Sequence, residues 1–287
     1  MTPLRTEAPA KINLSLAVTG RRRDGFHELI TDMVLLQLAD RLLLMPGSSG
    51  LRVVGDTAAG VPLDETNLAW RGLQAALGQV PELVCLTLEK RIPVQAGLGG
   101  GSSDAAAAWR LGRWLQHGEA RPADAATLET LGTIGADVPF FGAELAAARV
   151  SGIGERVEAA APPATRHVVL AHPPFRLSTA AVFGELRPAE WSATPEPGRN
   201  DLQAAATRLR PEISDVLRLV AGAGGEPHLS GSGPTVYAMS DDPERAAAIA
   251  GRLERGGLRA TLTRLRDEPA SIEQVGEVDP DEAEARE

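Results

Sequence analysis

Apolar and polar residues alternate through residues 8–19, where Ile, Leu or Val occupies every second position from Ile12 to Val18. Period-two alternation predicts a β-strand with one buried face. Lys11 and Asn13 fall on the opposite face, so they either share a polar cleft or lie on a solvated edge. The pattern alone leaves both alternatives open.

Similar patterns predict strands and helices along the rest of the chain. The predicted strands cover residues 29–38, 42–54, 83–94, 150–157, 166–172 and 258–265, with a hairpin turn at residues 46–50. The predicted helices cover residues 67–77, 105–115, 123–131, 200–209, 211–219 and 242–253.

A stretch rich in proline and alanine at residues 159–163 predicts a change of domain. We therefore expect an N-terminal domain over residues 1–158 and a C-terminal domain over residues 159–266. Residues 267–287 are acidic and poor in large apolar side chains, which predicts a disordered tail.

A glycine-rich turn follows the predicted strand at residues 83–94. Four glycines occur within residues 97–101, where they permit positive φ angles and let a ligand oxygen approach main-chain N–H groups. Ser102 or Ser103 is predicted to cap the next helix, whose free N–H groups and dipole favour a bound anion such as a triphosphate. A tight connection that binds nothing needs fewer glycines, so we favour a phosphate site.

This loop differs from three common nucleotide motifs. A P-loop would place lysine after Gly101, but Ser102 stands there. A dinucleotide-binding fingerprint would require a third glycine at that same position. No His-Arg-Asp or Asp-Phe-Gly sequence follows, which excludes a protein kinase.

Composition narrows the class of protein further. The formal net charge is -9, which argues against a nucleic-acid scaffold, and 43% hydrophobic residues support a well-filled core. Cys85 is the single cysteine, which predicts a reducing compartment, the cytoplasm. We find no apolar run long enough for a signal peptide or a membrane span, so we expect a soluble protein with no membrane partner.

Asp137 is an unusual carboxylate, because it stands in a turn among apolar neighbours at residues 134–141. An unpaired carboxylate is costly to bury there. It either caps a short helix or pairs with a cation, for which Lys11, one of only two lysines, is the candidate.

Phe26 and His27 lie in a turn-rich connection at residues 19–28. An aromatic ring beside an imidazole suits the recognition of a flat heterocyclic base. The alternative, a core phenylalanine beside a surface histidine, is equally compatible with the composition.

Three motifs together resemble those of the galactokinase, homoserine kinase, mevalonate kinase and phosphomevalonate kinase (GHMP) superfamily. They are Pro-Ala-Lys-Ile-Asn-Leu at residues 9–14, Pro-Val-Gln-Ala-Gly-Leu-Gly-Gly-Gly-Ser-Ser-Asp-Ala-Ala at residues 93–106 and Leu-Ser-Gly-Ser-Gly-Pro-Thr at residues 229–235. The resemblance implies an α+β fold of two domains, an N-terminal ribosomal-protein-S5-like ATP-binding domain and a C-terminal α/β-sandwich domain. It places the active site in the cleft between them.

Further segments resemble one branch of that superfamily, which phosphorylates 4-diphosphocytidyl-2-C-methyl-D-erythritol in the non-mevalonate isoprenoid pathway. They are residues 20–27, 135–140 and 171–173, and the likeness runs from Ala8 to about Leu265. It implies ATP and Mg2+ as cofactors, this small molecule as substrate and no nucleic-acid partner. We expect a monomer or weak homodimer.

The resemblance also implies residue roles. Lys11 and Asp137 match the catalytic pair. The substrate-binding positions fall on Asn13, Phe26, His27, Thr179 and Phe183, although position 26 is commonly tyrosine in that branch. The nucleotide loop falls on Pro93, Val94, Gln95, Ala96, Gly97, Leu98, Gly99, Gly100, Gly101, Ser102 and Ser103. Metal ligands stay unassigned, with Ser102 or Ser103 as candidates for Mg2+.

Two other functions stay open on the sequence. A homoserine or mevalonate-type kinase would keep the fold and change the acceptor. A nucleotide-binding regulator without catalysis would keep only the glycine loop.

Overall fold

The computed structural model describes residues 2–276, which form two β-sheets with helices packed against them. The first sheet has seven strands, in the order β11-β1-β2-β4-β3, with β5 paired to β2 and β6 paired to β5. Its strands are β1 (Leu4–Arg21), β2 (His27–Pro46), β3 (Gly50–Val54), β4 (Val84–Glu89), β5 (Ala147–Gly152), β6 (Arg156–Ala159) and β11 (Ile272–Gln274).

The predicted hairpin at residues 46–50 is wrong, because β2 and β3 are not neighbours. Strand β4 lies between them, antiparallel to β2 and parallel to β3. The burial of the strands accounts for this order. Four of the six residues of β4 are buried, which suits an inner strand, whereas none of β3 is, which suits an edge.

Four helices accompany the first sheet: α1 (Leu68–Leu77), α2 (Gly100–His117), α3 (Ala125–Gly132) and α4 (Val138–Gly142). Helix α1 lies within the predicted helix at residues 67–77, and the Asn67 side chain caps it by accepting a hydrogen bond from Ala69 N. Gly72 lets α1 approach α2 closely, because a Cβ there would lie 2.0 Å from the carbonyl oxygen of Ala105. This contact sets how closely α1 and α2 pack together.

The second sheet has the order β10-β7-β9-β8. Its strands are β7 (His167–His172), β8 (His228–Leu229), β9 (Val236–Ser240) and β10 (Arg259–Arg264), and its helices are α5 (Thr179–Glu185), α6 (Leu202–Leu209), α7 (Glu212–Gly222) and α8 (Pro243–Arg255). Alternate residues of β7 face opposite cores: Val169 joins the helices, whereas Val168 and Leu170 pack with Ile12 and Ile92 from the first half. That shared core joins the two sheets beneath the glycine loop.

The tail predicted to be disordered from residue 267 is ordered at least to residue 276, where the description ends. Strand β11 pairs antiparallel with the edge of β1, and Thr6 Oγ1 donates to the Ser271 carbonyl over 2.8 Å. Main-chain pairing of this kind needs no large apolar side chain, so composition alone gave no sign of it. The rest of the predicted tail lies outside the described residues.

The chain passes from the first sheet to the second between Ala159 and His167, and returns after Arg264. The two passages lie side by side, since Leu265 N donates to the Arg166 carbonyl over 2.8 Å. The domain boundary at residues 158 and 159 stays a prediction. None of the described helices combines the length and apolarity that crossing a bilayer requires.

Candidate active site

A cleft of about 740 Å³ opens between the two halves of the molecule. All three sequence motifs contribute to its walls: Lys11 and Asn13 from β1, the loop before α2, and Gly231 and Ser232 from the turn before β9. Asp137 and residues of α5 also line it. The folded chain therefore brings together segments that are far apart in sequence.

The helix after the glycine loop begins earlier than predicted. Its N-cap is Gly99, in the left-handed conformation with φ of 70°, and neither Ser102 nor Ser103 caps it. Ser103 N makes the first helical hydrogen bond, to the Gly99 carbonyl over 2.9 Å. The N–H groups of residues 100–102 precede that bond and have no acceptor within the helix, so they are placed to bind an anion at the cleft.

The predicted nucleotide loop reaches the cleft along almost its whole length. Residues 93–102 all line it, but Ser103 does not. Ser103 is buried on the other side of α2, near Arg110 and Glu144, because successive helical residues point in different directions. The structure therefore contradicts Ser103 as a ligand of the nucleotide or of a metal, and leaves Ser102.

Lys11 and Asp137 meet at the floor of the cleft, with Nζ and Oδ2 3.4 Å apart. Lys11 is almost completely buried, whereas the Asp137 side chain is 32% exposed and open to the cleft. Asp137 occupies the N-cap position of α4, but its side chain makes no capping hydrogen bond. Of the two alternatives for this carboxylate, the structure shows the cationic partner.

A chain of hydrogen bonds holds the Lys11 side chain in place. Lys11 Nζ donates to Asn13 Oδ1 over 2.7 Å, and Asn13 Nδ2 donates to Thr31 Oγ1 over 2.8 Å. Thr31 in turn donates to the Ser15 carbonyl. Lys11 and Asn13 thus share a polar face, as one of the two alternatives predicted, and Thr31 is a member that the sequence pattern did not identify.

Aromatic side chains gather at the other end of the cleft. The His27 ring stacks on Phe183, with centroids 5.4 Å apart, and meets the edge of Trp191 at 5.9 Å. Phe26 is 61% exposed, so it is not a core residue. Burial and the nearby Arg21 guanidinium lower the pKa of His27, which keeps its imidazole neutral near pH 7.

The third motif contributes polar groups and a close main-chain approach. Thr179 Oγ1 and Ser232 Oγ lie 2.9 Å apart. Asn200 Nδ2 donates to the carbonyls of Leu229 and Gly231, over 2.9 and 2.7 Å, and so holds the turn against β1. The sequence places Asn200 only at the start of the predicted helix at residues 200–209, since nothing local marks the distant carbonyls that it binds.

The fold and this cleft are those of a GHMP kinase. The model for the GHMP kinases N terminal domain matches residues 66–144, and the model for GHMP kinases C terminal matches residues 183–257. The two-domain α+β fold predicted from the motifs is confirmed.

Comparison with individual relatives shows which branch of the GHMP kinase family this chain belongs to. The 4-diphosphocytidyl-2-C-methyl-D-erythritol kinase of Dinoroseobacter shibae is 40% identical, over 86% of this chain and 89% of the relative. That of Thermus thermophilus is 38% identical, over 87% and 92%. A crystal structure of 4-(cytidine 5'-diphospho)-2C-methyl-D-erythritol kinase is 36% identical, with a TM-score of 0.73 over 91% of this chain and 98% of that one. The chain therefore belongs to the 4-diphosphocytidyl-2-C-methyl-D-erythritol kinases of the GHMP kinase family.

Proposed function

We propose that this protein transfers the γ-phosphoryl group of ATP to the 2-hydroxyl of 4-diphosphocytidyl-2-C-methyl-D-erythritol, giving the 2-phosphate and ADP. The reaction belongs to the non-mevalonate pathway to isopentenyl diphosphate. The observation that carries the proposal is the 3.4 Å approach of Lys11 to Asp137 in the cleft that the glycine loop lines. The shared name of the relatives supplies the acceptor.

The pair divides the chemistry between a base and a cation. Asp137 accepts the proton of the acceptor hydroxyl, and Lys11 offsets charge on the transferring phosphoryl group. An ammonium has three N–H donors, and Lys11 directs one to Asn13 and one towards Asp137. The third is available for a phosphoryl oxygen. Burial fixes the position of this charge, so little reorganisation is needed at the moment of transfer.

The start of α2 supplies the phosphate-binding groups. Main-chain N–H groups of residues 100–102 and the positive end of the helix dipole face the triphosphate. Mg2+ takes oxygen ligands and keeps several waters, so the phosphates and the Ser102 hydroxyl in the cleft fit it without a carboxylate cluster. When bound, the ion supplies charge compensation to the phosphates.

The aromatic end of the cleft holds the cytidine group. Phe26 and Phe183 offer ring faces, and the neutral imidazole of His27 has one donor and one acceptor for a base edge. Asn13 and Thr179 also line the cleft, and in this proposal they contact the erythritol unit. We place the protein in the cytoplasm, where the buried, free Cys85 stays reduced.

A substrate comparison tests the proposal. The enzyme with Mg-ATP is offered 4-diphosphocytidyl-2-C-methyl-D-erythritol, homoserine or mevalonate, and ADP release is followed in a coupled assay. We expect turnover only with the first, with the phosphoryl group on the tertiary 2-hydroxyl by 31P NMR. Turnover with homoserine or mevalonate instead would change the acceptor, and ADP release with none of them would favour a regulator.

A further inference from the structure

The second lysine of the chain, Lys90, is buried between two carboxylates, and the proposed chemistry does not use this cluster. Lys90 Nζ contacts Asp40 Oδ2 and donates to Asp104 Oδ2 over 2.6 Å. All three side chains are almost completely buried. A buried cluster of two carboxylates and one ammonium is expensive, so its presence beside a phosphate site calls for a functional reason.

Asp40 binds main chain as well as Lys90. Its Oδ1 accepts hydrogen bonds from Arg91 N over 2.5 Å and from Ile92 N over 2.8 Å. These two residues lie between the end of β4 and Pro93, where the nucleotide loop begins. Asp40 itself stands in β2, in the interior of the first sheet.

The same cluster also includes a residue of the helix that follows the loop. Asp104 belongs to α2, four residues beyond its first residue, Gly100. A Cβ on Gly100 would lie 3.5 Å from Lys90 Nζ, so the ammonium is close to the start of that helix. One carboxylate of β2 is therefore linked to the entrance of the loop directly and to its exit through Lys90 and Asp104.

We propose that Asp40 is a positioning residue for the nucleotide, which fixes both ends of the loop at residues 93–99 so that the N–H groups of residues 100–102 converge on the phosphates. Asp40 is fully buried and does not line the cleft, so it acts through Lys90, Arg91 and Ile92. The inference rests on the proposed use of this loop to bind ATP. It does not depend on the identity of the acceptor.

Charge alone predicts the opposite result, which makes the proposal testable. The buried Asp40 carboxylate lies near the proposed phosphate site, so simple repulsion predicts that Asp40→Asn tightens nucleotide binding. Positioning predicts weaker binding, because the new amide NH2 faces either Lys90 or the two main-chain N–H groups. Asp104→Asn still offers Lys90 an acceptor oxygen.

The experiment is the dissociation constant of a non-hydrolysable ATP analogue with Mg2+, by titration calorimetry, for the wild type and both variants. We expect Asp40→Asn to weaken binding about tenfold or more, as for loss of a buried charged partner, and Asp104→Asn, which keeps an acceptor for Lys90, to weaken it less. Steady-state kinetics should show a raised KM for ATP and an unchanged KM for the acceptor in Asp40→Asn. Unchanged or tighter binding in a folded Asp40→Asn protein would overturn the proposal.

Two controls separate positioning from general damage. Glu144→Gln disturbs a different buried ion pair, the one between Glu144 and Arg110 of α2. Neither residue lines the cleft, so this variant should leave the dissociation constant unchanged. Should Asp40→Asn not fold, hydrogen exchange on the wild type tests the contact on which the proposal rests. Slow exchange of the Arg91 and Ile92 amides supports their hydrogen bonds to Asp40, and exchange at the rate of free peptide would contradict the proposal. Failure of the wild type to bind the analogue would instead refute the proposed nucleotide site.

Discussion

Lys11 Nζ lies 3.4 Å from Asp137 Oδ2, although the two residues come from the first strand and from a short helix after α3. The ammonium is almost completely buried, and an isolated charge in such a place is strongly unfavourable. Asn13 and Asp137 together stabilise it. The pair is therefore fixed in the free protein before any ligand arrives.

Replacing Asp137 by asparagine should separate chemistry from binding. Asp137→Asn keeps the size of the side chain but removes the base, and general-base catalysis contributes about 100-fold to 10,000-fold in rate. We expect kcat to fall by about that factor while the calorimetric affinity for the ATP analogue stays within about twofold, since the loop is untouched. Asp215→Asn, at an exposed ion pair with Arg218, is the matched control and should change neither quantity. A near-normal kcat in Asp137→Asn would refute the base assignment.

Lys11→Arg tests whether a compact ammonium is required. The planar guanidinium is larger and cannot occupy the same buried position between Asn13 and Asp137. We expect kcat to fall about 100-fold to 1,000-fold, the scale of losing one transition-state donor. Stopped-flow or coupled ADP assays measure this loss, and circular dichroism shows whether the fold survives. The exposed Arg5→Lys serves as control, and equal kinetics in Lys11→Arg and wild type would make Lys11 structural only.

Two glycines with nearly equal φ angles separate the cost of backbone strain from the cost of a clash. Gly97 has φ of 75° and Gly118 has φ of 73°. A Cβ at Gly97 would lie 2.3 Å from the Ser230 carbonyl oxygen, whereas one at Gly118 meets nothing within 4 Å. Gly118→Ala should cost about 1 to 2 kcal/mol of stability and leave activity intact.

Gly97→Ala should cost more, because a main-chain oxygen blocks the new atom and the loop must shift away from the third motif. We expect kcat/KM for ATP to fall at least about tenfold, because even a small displacement of binding groups reduces the rate by such a factor. Urea unfolding and steady-state kinetics on both variants measure the two effects. Equal stability and equal kcat/KM in the two variants would show that the contact between the loop and Ser230 does not affect function.

His172 should make the protein sensitive to acid. Burial, with a smaller effect of the Arg259 guanidinium, lowers the pKa of His172 from 6.5 to about 4. Between pH 6.5 and about pH 4, His172 is protonated in the unfolded chain but neutral in the folded protein. The free energy of unfolding is therefore fully present above about pH 6.5 and falls as the pH drops towards 4. The loss of unfolding free energy that this pKa difference can cause is at most about 3.4 kcal/mol.

Urea unfolding at pH 7 and at pH 5 measures this effect. His172→Gln removes the titrating ring but keeps a partner for Thr261, which lies 3.0 Å from His172 Nε2. The fall in unfolding free energy between the two pH values should be smaller in this variant than in wild type. His117→Gln, at an exposed site on α2, should retain the full fall. A variant His172→Gln with the acid sensitivity of wild type would contradict the shifted pKa.

Local patterns predicted most of the elements because their physical causes are local. The strand period of residues 8–19, the apolar face of the helix at residues 67–77 and the glycines of the loop all act within a few residues. The same patterns failed where the outcome depends on distant partners. Strand β4 separates β2 from β3, and β11 joins the edge of β1, through main-chain bonds that any sequence can make.

The residues of the candidate site also divide into those that the sequence could identify and those that depend on distant partners. Lys11 and Asp137 were identifiable because a buried charge needs an opposite charge, and the structure brings them together. Ser103 was assigned to the wrong face because the start of α2 was placed at the serines instead of at Gly100. Asp40 gave no signal, since its partners Arg91 and Ile92 are main-chain groups far along the chain.

The chain crosses between the two sheets twice, and the crossings are bonded to one another at Arg166 and Leu265. Lys11 and Asp137 both belong to the half that precedes the first crossing, so their 3.4 Å contact lies on one side of the cleft. The distance between the proposed base and the proposed cation is therefore set within one half of the molecule.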